Sequence, residues 1–369
     1  MPDSLRRSAA FVVAVALVIL GAPLRPLEAK ACLHPASAYE GGSATQGRDP
    51  FFDEQWGLER IKAPEAWKQG ATGKGAVIAI LDSGIDLSHP DLRDRLVRGV
   101  DLASGSDCPG PHDEGGHGTS VAGVAAATAG NGIGISGVAP EARLMPVRTS
   151  SGREAVDGPD DITAINRVFA KGIRWAADHG ADVINISYSL WLVTKYPVED
   201  DGIEAALAYA WRKGSVVVAA AGNNMLLPIC DYPANDAHVV CVGSTDELGL
   251  PTYYSNQPHN SSSRVGLRAP GGRGIPGCTD RTEVWATSLP RDCDGGLSGY
   301  VATNGTSLAS PHVAGVAALL AGAGLTNQEI VDCLMATALN PLTGQRGQFD
   351  PVYGHGEVDA AAAVSTCVR

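Results

Sequence analysis

Ala76-Val77-Ile78-Ala79-Ile80-Leu81 is an apolar run without a polar break, and Asp82-Ser83-Gly84-Ile85-Asp86 follows it directly. A strand buried on both faces reads this way, because helices cover both sides of a parallel sheet. Similar runs recur at 142–147, 183–186, 215–221 and 239–242. Helical patterns lie between them. Ile162, Ile165, Phe169 and Ile173 share one face of a 3.6-residue period, and 200–211 is a second such segment. Strands alternating with helices predict an α/β fold with a mostly parallel central sheet and helices on both faces.

In open sheets of this kind, reactive groups gather at the carboxyl ends of strands, which puts Asp82 in a site. Two further segments set one reactive side chain among small residues. They are Gly116-His117-Gly118-Thr119-Ser120-Val121-Ala122-Gly123 and Gly305-Thr306-Ser307-Leu308-Ala309-Ser310-Pro311-His312. A serine hydroxyl is a weak nucleophile until a base takes its proton and a carboxylate orients that base. His117 suits the first task and Asp82 the second. Residues 307–321 are apolar almost all round and predict a buried helix. Pro311 lacks an N–H, so that helix must begin near Thr306 or Ser307. Ser307 then stands where unpaired N–H groups and the helix dipole favour developing negative charge. The run 216–221 leads into Gly222-Asn223, and the Asn223 amide with the Ser307 N–H forms the expected oxyanion hole. Taken singly, each residue has an ordinary reading: Asp82 in a turn, a structural His117, Thr306 or Ser307 as a helix cap. The order Asp, His, Asn, Ser with these flanks favours chemistry.

The 369 residues carry 28 basic and 40 acidic side chains, a formal net charge of -12. That balance argues against nucleic acid as a partner. Residues 1–31 read as an export signal: Arg6 and Arg7, an apolar stretch over 11–20, then Ala29-Lys30-Ala31 as a small-x-small cleavage site. The apolar stretch is shorter than the roughly 20 residues a spanning helix needs. An uncleaved anchor, or a lipoprotein acylated at Cys32, is the alternative. No later run is long enough to span a membrane. Residues 32–48 read as a polar arm and 49–369 as one domain. Residues 271–299 read as a surface loop. All eight cysteines follow the leader, which favours disulfides in an exported protein. Connectivity is not fixed by sequence. Proximity favours Cys230–Cys241, Cys278–Cys293 and Cys333–Cys367, which leaves Cys32–Cys108.

With these motifs the chain resembles the subtilisin-like serine proteases, the subtilase family. Further matching stretches are Gln55-Trp56-Gly57-Leu58, Ser136-Gly137-Val138-Ala139-Pro140 and Tyr353-Gly354-His355-Gly356-Glu357. The resemblance implies a three-layer αβα fold and peptide-bond cleavage through an acyl-enzyme on Ser307. It implies a protein or peptide substrate, no organic cofactor, and a monomer in a secreted or periplasmic setting. It also implies a structural calcium ion. Asp49, Asp91 and Asn131 would bind by side chain, and Ala129, Ile133 and Ile135 by backbone carbonyl. Calcium takes six to eight oxygen ligands, and the glycines around Asn131 can turn carbonyls inward. The bland reading is a Gly-rich turn.

The chain departs from the family in places. Fewer than twenty residues separate Cys32 from Asp49, where many relatives carry a folding prodomain. A Cys32–Cys108 tie would resemble the mycosin branch, whose C-terminal membrane helix this sequence lacks. Ser120 stands where many relatives have histidine. Ser187-Tyr188-Ser189 matches the substrate-pairing strand, with Ser189 where glycine is common. Asp231 precedes Tyr232-Pro233-Ala234, a segment that in relatives lines the pocket for the residue before the scissile bond. Asp231 would favour lysine or arginine there, with Ser187, Ser189 and Gly222 as the other substrate-binding residues; the alternative for Asp231 is a solvated turn residue. A non-catalytic peptide binder and a structural secretion component are the rival function classes, and no triad residue is missing to favour either.

Overall fold

The computed structural model describes residue 39 and residues 48–103, 110–151, 159–189, 202–225, 228–258, 265–274, 279–290 and 298–368. The expected export signal and Cys32, Cys108, Cys278 and Cys293 lie outside these residues.

Seven strands form one parallel sheet: β1 (Val77–Asp82), β2 (Val100–Asp101), β3 (Arg143–Arg148), β4 (Val183–Ile186), β5 (Val216–Ala220), β6 (Val239–Thr245) and β7 (Gly266–Pro270). Their order is β2-β3-β1-β4-β5-β6-β7. A separate antiparallel pair joins β8 (Val284–Thr287) to β9 (Tyr300–Thr303). The helices are α1 (Trp56–Arg60), α2 (Ala63–Lys68), α3 (His117–Ala126), α4 (Pro159–Asp178), α5 (Ile203–Lys213), α6 (Thr306–Gly322), α7 (Asn327–Thr337) and α8 (Ala360–Cys367).

Alternation along the strands makes two cores. Ile78, Ile80, Leu144, Val216 and Val218 face one side, where Val121 and Ala125 of α3 and Val313 and Ala317 of α6 cover them. Ala79, Leu81, Met145, Val147 and Val217 face the other, against Phe169 and Ile173 of α4 and Leu207 of α5. Every residue of β4, β5, β6 and β7 is buried, the polar Asn185, Ser244, Thr245 and Arg268 included, as a sheet covered twice requires. The result is three layers, αβα.

Two expectations change. The stretch 271–299 is not all surface loop, because it carries β8, whose four residues are buried against α3 and Leu308. α6 begins at Thr306, as expected, yet Pro311 is its sixth residue and not in its first turn. Its missing N–H releases the carbonyl of Ser307, four residues back. The Ser187 hydroxyl donates to that carbonyl at 2.8 Å.

Cys230 is bonded to Cys241 and Cys333 to Cys367. The second bond closes a 34-residue separation and fastens α8 to α7. Replacing Cys333 and Cys367 together by serine should lower stability by about 2–4 kcal/mol, measured by urea unfolding under oxidising conditions.

Candidate active site

The chain passes from β1 to β3 on one side of the sheet and returns to β4 on the other, so β1 lies between them. A crevice at the carboxyl end of a sheet opens at such a reversal. Asp82 ends β1 there. Its Oδ1 accepts from the Ser83 N–H at 2.8 Å and lies 2.8 Å from His117 Nδ1. Its Oδ2 is buried without a partner among the described residues.

His117 is the first residue of α3. Asp113 holds that helix end. Its Oδ1 accepts from the N–H groups of Gly115 and Gly116, and its Oδ2 from the Thr119 N–H and hydroxyl. The glycine after His117 is forced by contact: a Cβ on Gly118 would stand 2.1 Å from the Gly84 carbonyl oxygen. Without a side chain there, α3 can approach the turn after β1. The charge of Asp82 pushes the His117 pKa up, to about 9; burial opposes this, while the Asp82 hydrogen bond and then Asp113 add to it. With 46% of the side chain open to water, part of that rise is screened. Ser120, one turn on, donates to the Thr287 carbonyl and ties α3 to β8.

Ser307 is the second residue of α6, and its Oγ makes no hydrogen bond among the described residues. A polar cluster fixes its backbone. Asn185 Nδ2 donates to Ser187 Oγ, Ser187 Oγ donates to the Ser307 carbonyl, and Ser310 Oγ donates to Asn185 Oδ1. Asn223 follows β5. Its Oδ1 accepts from the Thr306 N–H at 3.0 Å and the Thr306 hydroxyl at 2.9 Å. That leaves the Nδ2 end of the amide as the free donor. The point where a Cβ would stand on Gly305 is 2.9 Å from Ser307 Oγ and 3.6 Å from Asn223 Nδ2. Hydroxyl and amide thus flank one small space that only glycine leaves open.

Sequence reading missed the supports of this site. Asn256 donates to the Ala221 carbonyl and its Oδ1 accepts the Asn224 N–H, bracketing Asn223. The Tyr254 hydroxyl lies within hydrogen-bond distance of Ser244 Oγ, the carbonyls of Gly271 and Gly272, and the Gly305 N–H. Neither has a sequence signal, because their partners are backbone groups far away in the chain.

Ser189 and Gly222 both lie against Asp231, and Ser187 stands at the Ser307 backbone. Asp231 is 5% exposed, so it is not a solvated turn residue. Burial raises its pKa, against the hydrogen bonds of Ser189, Asn224 and Asn256.

The expected calcium residues meet at the loop before Ser136. Asp49 accepts from the N–H groups of Gly130 and Gly132 and from the Ser136 hydroxyl. Asp91 accepts from Asn131 Nδ2, the Ile135 N–H and the Tyr300 hydroxyl. Burial, with the Asp49 charge adding to it, pushes the Asp91 pKa up to about 7. Neither acid pairs with a lysine or arginine among the described residues. No cluster of three His, Cys, Asp or Glu side chains suited to a metal occurs among those residues, so this set has two acids and an amide.

The profile of the Subtilase family matches residues 73–356. The chain is 38% identical to thermitase of Thermoactinomyces vulgaris over 318 residues, 86% of this chain and 98% of that one. It is 36% identical to subtilisin BL of Lederbergia lenta over 310 residues, 84% of this chain and 97% of that one. Among solved structures, a protease from Pseudoalteromonas arctica superposes with a TM-score of 0.70 at 31% identity, covering 88% of this chain and 100% of the other. The MycP3 protease of the type VII (ESX-3) secretion system superposes at 0.67 with 29% identity, covering 89% and 93%. The chain belongs to the subtilase family of serine endopeptidases.

Proposed function

We propose that this subtilase cleaves peptide bonds through an acyl-enzyme on Ser307, with His117 as general base, Asp82 orienting it and Asn223 stabilising the oxyanion. Ser307 Oγ attacks the carbonyl carbon while His117 Nε2 takes the hydroxyl proton. Negative charge collects on the former carbonyl oxygen, met by Asn223 Nδ2 and the Ser307 N–H. The C–N bond breaks as His117 returns the proton to the leaving amine. Water, deprotonated by His117, then attacks the ester, releasing the acid product and Ser307. The observation that carries this reading is the 2.8 Å contact between His117 Nδ1 and Asp82 Oδ1, which holds the Nδ1–H tautomer and leaves Nε2 as the basic atom.

Export by the segment 1–31 and work outside the reducing cytosol are supported by the two disulfides. No helix among the described residues is long and apolar enough to cross a membrane. A monomer is the simplest assembly for this role.

The calcium residues fit a hard cation. Asp49 and Asp91 are buried acids with no cationic side chain to balance them, and their oxygens converge on one glycine-rich loop. Asp49, Asp91 and Asn131 would hold the ion, with the carbonyls of Ala129, Ile133 and Ile135. The Asn131 amide, which offers nitrogen to Asp91, would turn its oxygen inward. Bound there, calcium would supply structural charge balance and no chemistry.

An active-site fluorophosphonate should label Ser307 in the folded protein; a folded, unlabelled protein would refute the nucleophile assignment. Asn223→Ala should cut kcat on the order of 10²–10³, the cost of one oxyanion donor, with KM little changed. His117 acts as base only when neutral, so kcat/KM should fall as pH drops through an ionisation above the ordinary histidine value, toward 9. In Asp82→Asn the His117 ring, followed by NMR, should titrate lower. Stripping calcium with a chelator should lower Tm and adding it back should restore Tm, while Asp91→Asn should abolish the calcium-dependent shift.

A further inference from the structure

Two wall segments run from the nucleophile to one buried acid. On one wall, Ser187 bonds the Ser307 carbonyl and Ser189, two residues on, bonds Asp231. On the other, Asn223 and Gly222 bond Thr306. Gly222 also lies so close to Asp231 that a Cβ on it would stand 2.1 Å from Asp231 Oδ2. Both segments that meet Ser307 or its neighbour Thr306 therefore also meet Asp231.

The acid has unusual company for a buried carboxylate. Asn224 Nδ2 donates to Oδ2 at 2.5 Å, Asn256 Nδ2 to Oδ1 at 3.1 Å, and Ser189 adds a third bond. All three donors are neutral, and no lysine, arginine or histidine among the described residues pairs with it. Two other buried acids here have partners of opposite charge. Glu357 meets Arg60, and Asp359 meets Lys62 and Arg346. A buried charge without a counterion is costly. The segments that hold Asp231 also hold Ser307 and Asn223, so a substrate side chain seated between them is the one able to supply that counterion.

We propose that Asp231 selects lysine or arginine as the residue immediately before the scissile bond. This rests on Ser307 being the nucleophile. The substrate cation neutralises Asp231, whose burial makes a charge-assisted hydrogen bond strong. Arginine, planar and weakly hydrated, loses less on entering than an ammonium does. A leucine or phenylalanine leaves the acid uncompensated.

The test uses peptides that differ only at that residue, carrying Arg, Lys, Leu or Phe, with the full-length secreted protein. The wild type should prefer Arg or Lys over Leu by about tenfold or more in kcat/KM. Asp231→Asn should collapse that ratio toward one, chiefly through a loss on the basic peptides. Asp231→Ser serves as a second variant should an asparagine facing two amide donors fail to fold, judged by circular dichroism. Phosphonate labelling of Ser307 with equal rates for Arg and Leu would overturn the role of Asp231 alone. A folded variant that keeps the basic preference would also overturn it. Absence of any adduct on Ser307 would overturn the nucleophile assignment and, with it, the proposal for Asp231.

Discussion

Pairing of β1 with β3 on one side and β4 on the other is the constraint on which the site depends. It opens the crevice at the carboxyl edge of the sheet. It brings Asp82, Ser187 and Asn223, from the ends of three strands, to one edge. The helices that carry His117 and Ser307 lie on the same face, because α3 and α6 pack on the Ile78–Ile80 side. Two glycines then set the final approach. Gly118 lets α3 touch the turn after β1, and Gly305 keeps the space beside Ser307 and Asn223 clear.

Most of this arrangement was legible in the chain. The five long runs became β1, β3, β4, β5 and β6, since strands buried on both faces are largely apolar. The two-residue β2 was too short to leave a pattern, and β8 was hidden in a stretch rich in glycine and proline. Asp82, His117 and Ser307, the proposed triad, stood out because each sits in a small-residue frame. Their supports did not. Asn256 and Tyr254 act on groups that only the folded chain brings near, and Asp113 holds the start of its own neighbouring helix. Pro311 was read as a boundary marker, whereas the tertiary structure uses it inside the helix.

Charge is handled in distinct ways across the molecule. At the rim between α2, α8 and β7, acids are matched by cations, as Asp359 is by Lys62 and Arg346. Asp113 instead takes four neutral donors at a helix start, where the dipole favours an anion. Asp231, Asp49 and Asp91 have neutral donors alone among the described residues. Acids with neutral donors alone thus include one near Ser307 and two at the glycine-rich loop. In both places, an incoming cation can be bound by groups that are already desolvated and aligned.

The proline in α6 also bears on how the site tolerates motion. Helix ends fray, and a residue in the first turn normally follows that fraying through its own carbonyl bond. The Ser307 carbonyl is withdrawn from the helix ladder and bonded to Ser187, beyond the end of β4. Ser307, the proposed nucleophile, is thereby registered against the sheet. Loosening of the helix from its free end would reach Ser307 only after the Ser187 bond had also broken.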